Sequence, residues 1–113
     1  MIKKITKNIS SFKKEEVKKI FSSAKSKIFV DGLKIFIAPK QSDLGRVLVI
    51  TPRRVGNSPK RNLIRRRIKS IFYEEKLYEK QNDWIVFVGE RKSTGLSFLR
   101  LKEIIINASQ NKK

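Results

Sequence analysis

The chain contains no cysteine and no histidine. That excludes disulfides, thiolate nucleophiles, Cys/His zinc sites and imidazole general bases together, and it fits a reducing compartment. Acidic residues are few, 10 Asp plus Glu against 28 Lys plus Arg, for a formal net charge of +18. Two-metal hydrolysis needs convergent carboxylates. The acids here are scattered, and Glu74 and Glu75 point to different sides of a helix, so neither catalytic residues nor metal ligands are expected in this chain. Long apolar runs are also missing. The longest, such as Trp84 to Val88, are about five residues, against the roughly 20 that a bilayer span needs. The opening "MIKKITKNISSFKK" is basic without a continuous apolar stretch, unlike a secretory signal. These absences predict a soluble cytoplasmic protein with no membrane role.

What is present fits one domain over residues 1–113, with residues 1–10 and 109–113 flexible. Apolar residues make up 39% of the chain, enough for a compact core. Charged residues make up 34%, above the roughly 25% of an average domain. A compact domain with so large an excess of one sign repels itself, and an anionic partner relieves that repulsion. RNA or DNA is the first candidate and a membrane surface the second.

The segment "SSFKKEEVKKIFSSAKSK" reads as a helix. Ser10 or Ser11 caps it, Glu15 and Glu16 lie in its early turns, and Phe12, Val17, Ile20, Phe21 and Ala24 form an apolar stripe. "KIFVDGLKIFIAP" follows as a strand, with Asp31-Gly32 as a turn or bulge signal and Lys27 to Val30 as an optional extra strand. In it Leu33, Ile35 and Ile37 face one way, and Lys34 and Phe36 the other. "GRVLVITP" is apolar on both faces, which predicts a central strand. "RRVGNSPK" is a loop. A long helix is predicted from about Lys60 to Lys80. Its 3.6-residue period puts Ile64, Ile68, Ile71, Phe72 and Tyr78 on the buried side and Asn62, Arg65, Arg66, Lys69, Tyr73 and Lys76 outward. Arg61 and Arg67 flank the apolar stripe. "DWIVFVG" is a buried strand. "LSFLRLKEIIINA" is a last helix, started by Ser97, with Leu101, Ile104, Ile105 and Ala108 inward. The order α-β-β(-β)-α-β-α defines an α+β domain, a small mixed sheet covered by helices on one face.

Between Asp43 and Glu74 there is no acid, while Arg46, Arg53, Arg54, Lys60, Arg61, Arg65, Arg66, Arg67 and Lys69 lie inside that interval. A solvated helix face usually interleaves acids four residues from bases, because like pairs at that spacing destabilise the helix. Here Arg61–Arg65 and Arg65–Lys69 are like-signed, the pattern of a polyanion-binding helix. Arginine dominates it, and the guanidinium fork suits phosphate bidentately. Asn62, on the same face, serves either as a polar contact or as part of the helix cap. A second candidate is Phe21, Lys34 and Phe36, aromatic and basic groups of the kind that stack bases and pair phosphates of single strands. The alternative, that these aromatics are core, stays open.

The stretch "RVLVITPRRVGNSPKRNLIRRRIKSIFYEEKLYEKQNDWIVFV" resembles the central segment of the bacterial ribonuclease P protein component. The residues that carry the resemblance are Arg53-Arg54, Val55-Gly56, Arg61-Asn62, Arg65-Arg66 and Asp83-Trp84 leading into Ile85 to Val88. "VKKIF" in the first helix fits as well, and the likeness extends from about Phe12 to Asn107. It implies a two-layer α/β sandwich with a left-handed β-α-β crossover, although general rules favour the right-handed form. It also implies a protein subunit bound to a large catalytic RNA that, with Mg²⁺ held mainly by the RNA, removes the 5′ leader of precursor tRNA. On that resemblance the RNA subunit would meet Arg53, Arg54, Lys60, Arg61, Asn62, Arg65, Arg66, Arg67 and Lys69. The leader would lie in a cleft with Phe21, Lys34, Phe36 and Arg46, and no protein partner is required.

The chain departs from the family pattern at Leu63, where the motif usually has Arg, and at Ser70, where Glu or Gln is common. Val17 replaces an aromatic of the first helix. Leu48 and Ile50 stand where small or hydroxyl residues usually floor the cleft. A non-enzymatic RNA-binding module, such as a ribosomal protein, is the alternative reading. A membrane-surface or nuclear-targeting role for "RRRIK" is a third.

Overall fold

The computed structural model describes residues 14–41, 44–80 and 82–110. The expected caps Ser10 and Ser11, the apolar Phe12, residues 1–10 and, of the tail 109–113 expected to be flexible, residues 111–113 lie outside them. Helix α1 (Lys14–Ser23) leads into strands β1 (Ser26–Val30), β2 (Leu33–Pro39) and β3 (Val47–Ile50). A 3₁₀ turn at Arg53–Val55 precedes helix α2 (Ser58–Glu74), followed by β4 (Asn82–Val88) and helix α3 (Phe98–Gln110). The sheet order is β1-β2-β4-β3. β1–β2 and β2–β4 are antiparallel, and β3–β4 is parallel, so α2 is the crossover between two adjacent parallel strands. This is the α+β architecture with a mixed sheet that the element order predicts.

The extra strand exists, and Asp31-Gly32 is a two-residue hairpin turn with φ of 50° and 81°. Positive φ at both positions matches the right-handed twist of the flanking strands. A Cβ on Gly32 would meet Ser93 Oγ at 2.4 Å. The expected run of α1 into Lys27 is cut short at Ser23, because Lys25 N–H donates to the Ile37 carbonyl at 2.8 Å and opens the β1–β2 ladder.

One sheet face carries Leu33, Ile35 and Ile37 of β2, Val47 and Val49 of β3 and Trp84, Val86 and Val88 of β4. It packs on Ile64, Ile68, Ile71 and Phe72 of α2 and Leu101, Ile104, Ile105 and Ala108 of α3. The helical periods of both elements are as expected. The opposite face is covered in part by α1, through a small cluster of Ile20, Ala38 and Ile85 flanked by Val17, Phe36, Leu48 and Ile50. Among the described residues, helices therefore lie on both faces rather than on one as expected, with α1 alone on the second. This explains β3, which was expected at the centre of the sheet and sits at its edge. It is apolar on both sides because α2 lies below it and the α1 cluster above it.

Asn57 caps α2, its Oδ1 accepting from Lys60 N–H at 3.1 Å, with Pro59 in the first turn where its missing N–H costs nothing. The helix stops at Glu74 rather than Lys80. Glu74 and Glu75 sit at its C-terminal end, where the helix dipole disfavours acids, and Lys76 takes a left-handed conformation with φ of 53°. A 3₁₀ turn at Leu77–Glu79 follows. Leu77 is buried there, whereas Tyr78, expected on the buried face of α2, is half-buried and stacks on Tyr73 at 5.8 Å. Ser97 starts α3 as predicted, its Oγ accepting from Arg100 N–H at 3.1 Å. Ser109 and Gln110 continue that helix.

Candidate nucleic-acid interface

Helix α2 is fixed by its apolar stripe, so its opposite side must face out. There Asn62, Arg65, Arg66 and Lys69 line one open depression of about 660 Å³ with Pro59. Arg65 is aimed by two acceptors, Thr51 Oγ1 at 3.1 Å and the Asn62 side-chain oxygen. Asn62 thus orients an arginine and does not cap the helix. Burial, and then the charge of Arg65, lowers the pKa of Lys69 from its usual value. This is a surface short of negative charge. Among the described residues, no acidic side chain forms an ion pair with Arg53, Arg54, Lys60, Arg61, Arg65, Arg66, Arg67 or Lys69.

The predicted basic residues do not all converge. Lys60 is exposed at the start of α2. Arg61 folds back on that end, donating through Nε to the Gly56 carbonyl and through Nη2 to Ser58 Oγ, both at 3.1 Å. Arg67 turns toward the α3 side and donates to the Leu96 carbonyl at 2.9 Å. Leu63, at the motif position where Arg is usual, is 37% exposed.

The second surface is the sheet face that α1 covers in part. Cross-strand register arranges it in rows. Lys27, Phe36, Ile85 and Leu48 form one row, and Phe29, Lys34, Phe87 and Ile50 the next. Phe21 of α1 packs edge-on against Phe36 at 5.2 Å and remains 42% exposed, so the predicted pair of aromatics meets at the helix–sheet junction. Leu48 and Ile50 are half-buried beside them. Lys34 is exposed in the neighbouring row.

Arg46, expected in the same cleft, is a correction. It is only 5% exposed, with Nη1 on Glu16 Oε1 at 3.0 Å and Nη2 on Asp83 Oδ2 at 3.2 Å. Burial works against its charge, but the hydrogen bonds and charges of Glu16 and Asp83 outweigh it, and its pKa is held above the usual value. Fully buried Asp83 also accepts from the backbone N–H of Arg46 at 2.9 Å and of Gln41 at 3.2 Å. Arg46 therefore joins α1 to the sheet and offers no free charge to a ligand. The acid-free interval concealed this, because both partners lie outside it.

Arg54 is the other relocation. Grouped with α2 by sequence, it places its guanidinium 5.9 Å from the Phe87 ring, on the sheet surface. Phe29 and Phe87 were not singled out. Their alternation within "SKIFV" and "NDWIVFV" was visible, but only the strand register brings them together.

The fold and these surfaces define a small basic α+β domain with one arginine-lined helix face and one aromatic, basic sheet face. The chain belongs to the ribonuclease P family, whose model matches residues 7–112. It thereby has its role in a ribonuclease P, in tRNA processing, and family membership implies association with ribonuclease P RNA. No curated relative matches. Among solved structures, the Staphylococcus aureus RNase P protein superposes with a TM-score of 0.75 at 16% identity, over 90% of this chain and 93% of that one. The RNase P protein from Thermotoga maritima gives 0.75 at 16% identity, over 92% and 97%. A Staphylococcus aureus RNase P protein mutant with defective mRNA degradation activity gives 0.73 at 16%, over 94% and 92%.

Proposed function

We propose that the chain is the protein subunit of a ribonuclease P holoenzyme of the cytoplasm. It binds the catalytic RNA and the single-stranded 5′ leader of precursor tRNA and so assists Mg²⁺-dependent removal of the leader. The observation that carries the reading is the outward face of α2, where Asn62, Arg65, Arg66 and Lys69 line one depression without an acidic partner among the described residues. Phosphate would supply the missing countercharge, and the arginine forks suit its geometry. The leader would enter at Phe21 and Phe36, with Lys34 beside them. Among the described residues no three acidic side chains converge. No step through a divalent ion is assigned to this chain. Its part would be to neutralise phosphate and to hold the substrate in position.

Reconstitution with a bacterial ribonuclease P RNA tests this. The protein is expected to raise cleavage of precursor tRNA at low Mg²⁺, and Arg61→Ala with Arg65→Ala to weaken its affinity for that RNA. Cleavage unchanged by the wild-type protein across a Mg²⁺ titration would sink the reading.

A further inference from the structure

Beyond the end of α1, the second sheet face is open among the described residues. Phe29, Lys34 and Phe87 are direct cross-strand neighbours there, on β1, β2 and β4. Phe29 is 68% exposed. The Lys34 ammonium lies 5.9 Å from the Phe29 ring and 5.8 Å from the Phe87 ring, nearly equidistant from the two. The Arg54 guanidinium lies 5.9 Å from the Phe87 ring. The three side chains and Arg54 line an open groove of about 540 Å³. An isolated exposed aromatic is ordinary. An exposed Phe29 and a half-buried Phe87 in register, with one ammonium near both rings, form a built arrangement.

We propose that Phe29, Lys34 and Phe87 are a stacking platform for two successive nucleotides of single-stranded RNA, separate from the Phe21–Phe36 junction under α1. Neighbouring strands lie about 4.8 Å apart, which sets the two rings about 10 Å apart across β2. One base between two rings at van der Waals contact needs only about 7 Å. The rings are thus too far apart to sandwich a single base, and each takes one. The phosphate linking the two bases then falls on Lys34. The acids of the groove, Asp31 and Glu90, belong to its hairpin end, where Asp31 pairs with Arg100 at 2.9 Å and Glu90 with Lys92 at 3.6 Å. The backbone would run on the Lys34–Arg54 side. The inference rests on reading the chain as a partner of single-stranded RNA, and it adds a subsite to that reading.

The test uses the full chain and a labelled single-stranded RNA of about 12 nucleotides, within the usual range of single-strand sites. Phe29→Ala is expected to weaken binding by about fivefold or more. An RNA with two adjacent abasic positions is expected to bind the wild type more weakly and to be insensitive to Phe29→Ala. Phe29→Trp, at so exposed a position, keeps the fold and adds an emitting ring outside the core that holds Trp84. Its fluorescence is expected to be quenched as the RNA binds. Phe29→Ala binding like the wild type overturns the platform, as does Phe29→Trp emission that does not change. Failure of the wild type to bind the oligonucleotide overturns it too. Failure of the proposed function reads out elsewhere, as cleavage by ribonuclease P RNA unaffected by the wild-type protein, so the two can fail separately.

Discussion

The guanidinium of Arg46 bridges two carboxylates 67 residues apart in sequence, Glu16 of α1 at 3.0 Å and Asp83 of β4 at 3.2 Å. α1 buries only Ile20 within its own span, so this bridge is a main tie between the helix and the sheet. Removing one partner of a buried pair leaves the other charge without its counterion. Arg46→Met should therefore cost about 3 to 5 kcal/mol in urea unfolding. Glu16→Gln, at the more exposed end, should cost about 1 kcal/mol. Equal losses from the two variants would contradict the burial argument.

Arg65 and Arg66 face outward and carry no part of the core. Arg65→Ala and Arg66→Ala should leave the urea midpoint within about 0.5 kcal/mol of wild type. Each should reduce the salt dependence of RNA binding, by about one unit of slope in log K against log salt. Affinity measured over a potassium chloride series checks both effects. A slope that does not change would remove these residues from the phosphate contacts.

Lys69 is set against stability. Burial and then Arg65 depress its pKa below the ordinary 10.5. A base depressed in the folded state destabilises the fold while protonated. That penalty is complete below the folded pKa and disappears as pH rises through it toward the unfolded value. Lys69→Met should therefore raise stability at neutral pH by about 0.3 to 0.5 kcal/mol and weaken RNA binding. The gain should shrink in alkaline buffer approaching 10.5. Urea midpoints at several pH values give the sign directly.

Gly45 is enclosed by backbone. A Cβ there would lie 2.3 Å from the Asn82 carbonyl oxygen and 3.1 Å from that of Lys80. Neither belongs to a side chain that can swing away. Gly45→Ala should destabilise by about 1 to 3 kcal/mol, read as a lowered melting temperature. An unshifted melting temperature would show that the β4 entry yields to the methyl group.

Much of this was legible in the chain. The 3.6-residue spacing of Ile64, Ile68 and Ile71 fixed which side of α2 is buried, and so which side is basic. The alternation through Leu33, Ile35 and Ile37 separated the two faces of β2. What escaped was long-range. Two-sided apolarity made β3 look central, when it reflects a helix on each face of the sheet. Arg46 looked like one more surface cation, because nothing local points to partners 30 residues before it and 37 after it. Phe29 and Phe87 alternate correctly within their strands, but their row exists only through pairing across β2. The end of α2 was missed because Lys76 adopts a left-handed turn that no glycine advertises.

The place of β4 bears on how the chain is made. It is the last strand in sequence and it separates β2 from β3 in the sheet. Until Asn82–Val88 has left the ribosome, the hairpin and β3 have no common neighbour and each keeps an open edge. N-terminal domains often fold during synthesis, but here the sheet must wait for most of the chain. Assembly of the sheet should then follow the emergence of β4, with an interval before it in which the unpaired edges of β2 and β3 are accessible to other nascent chains.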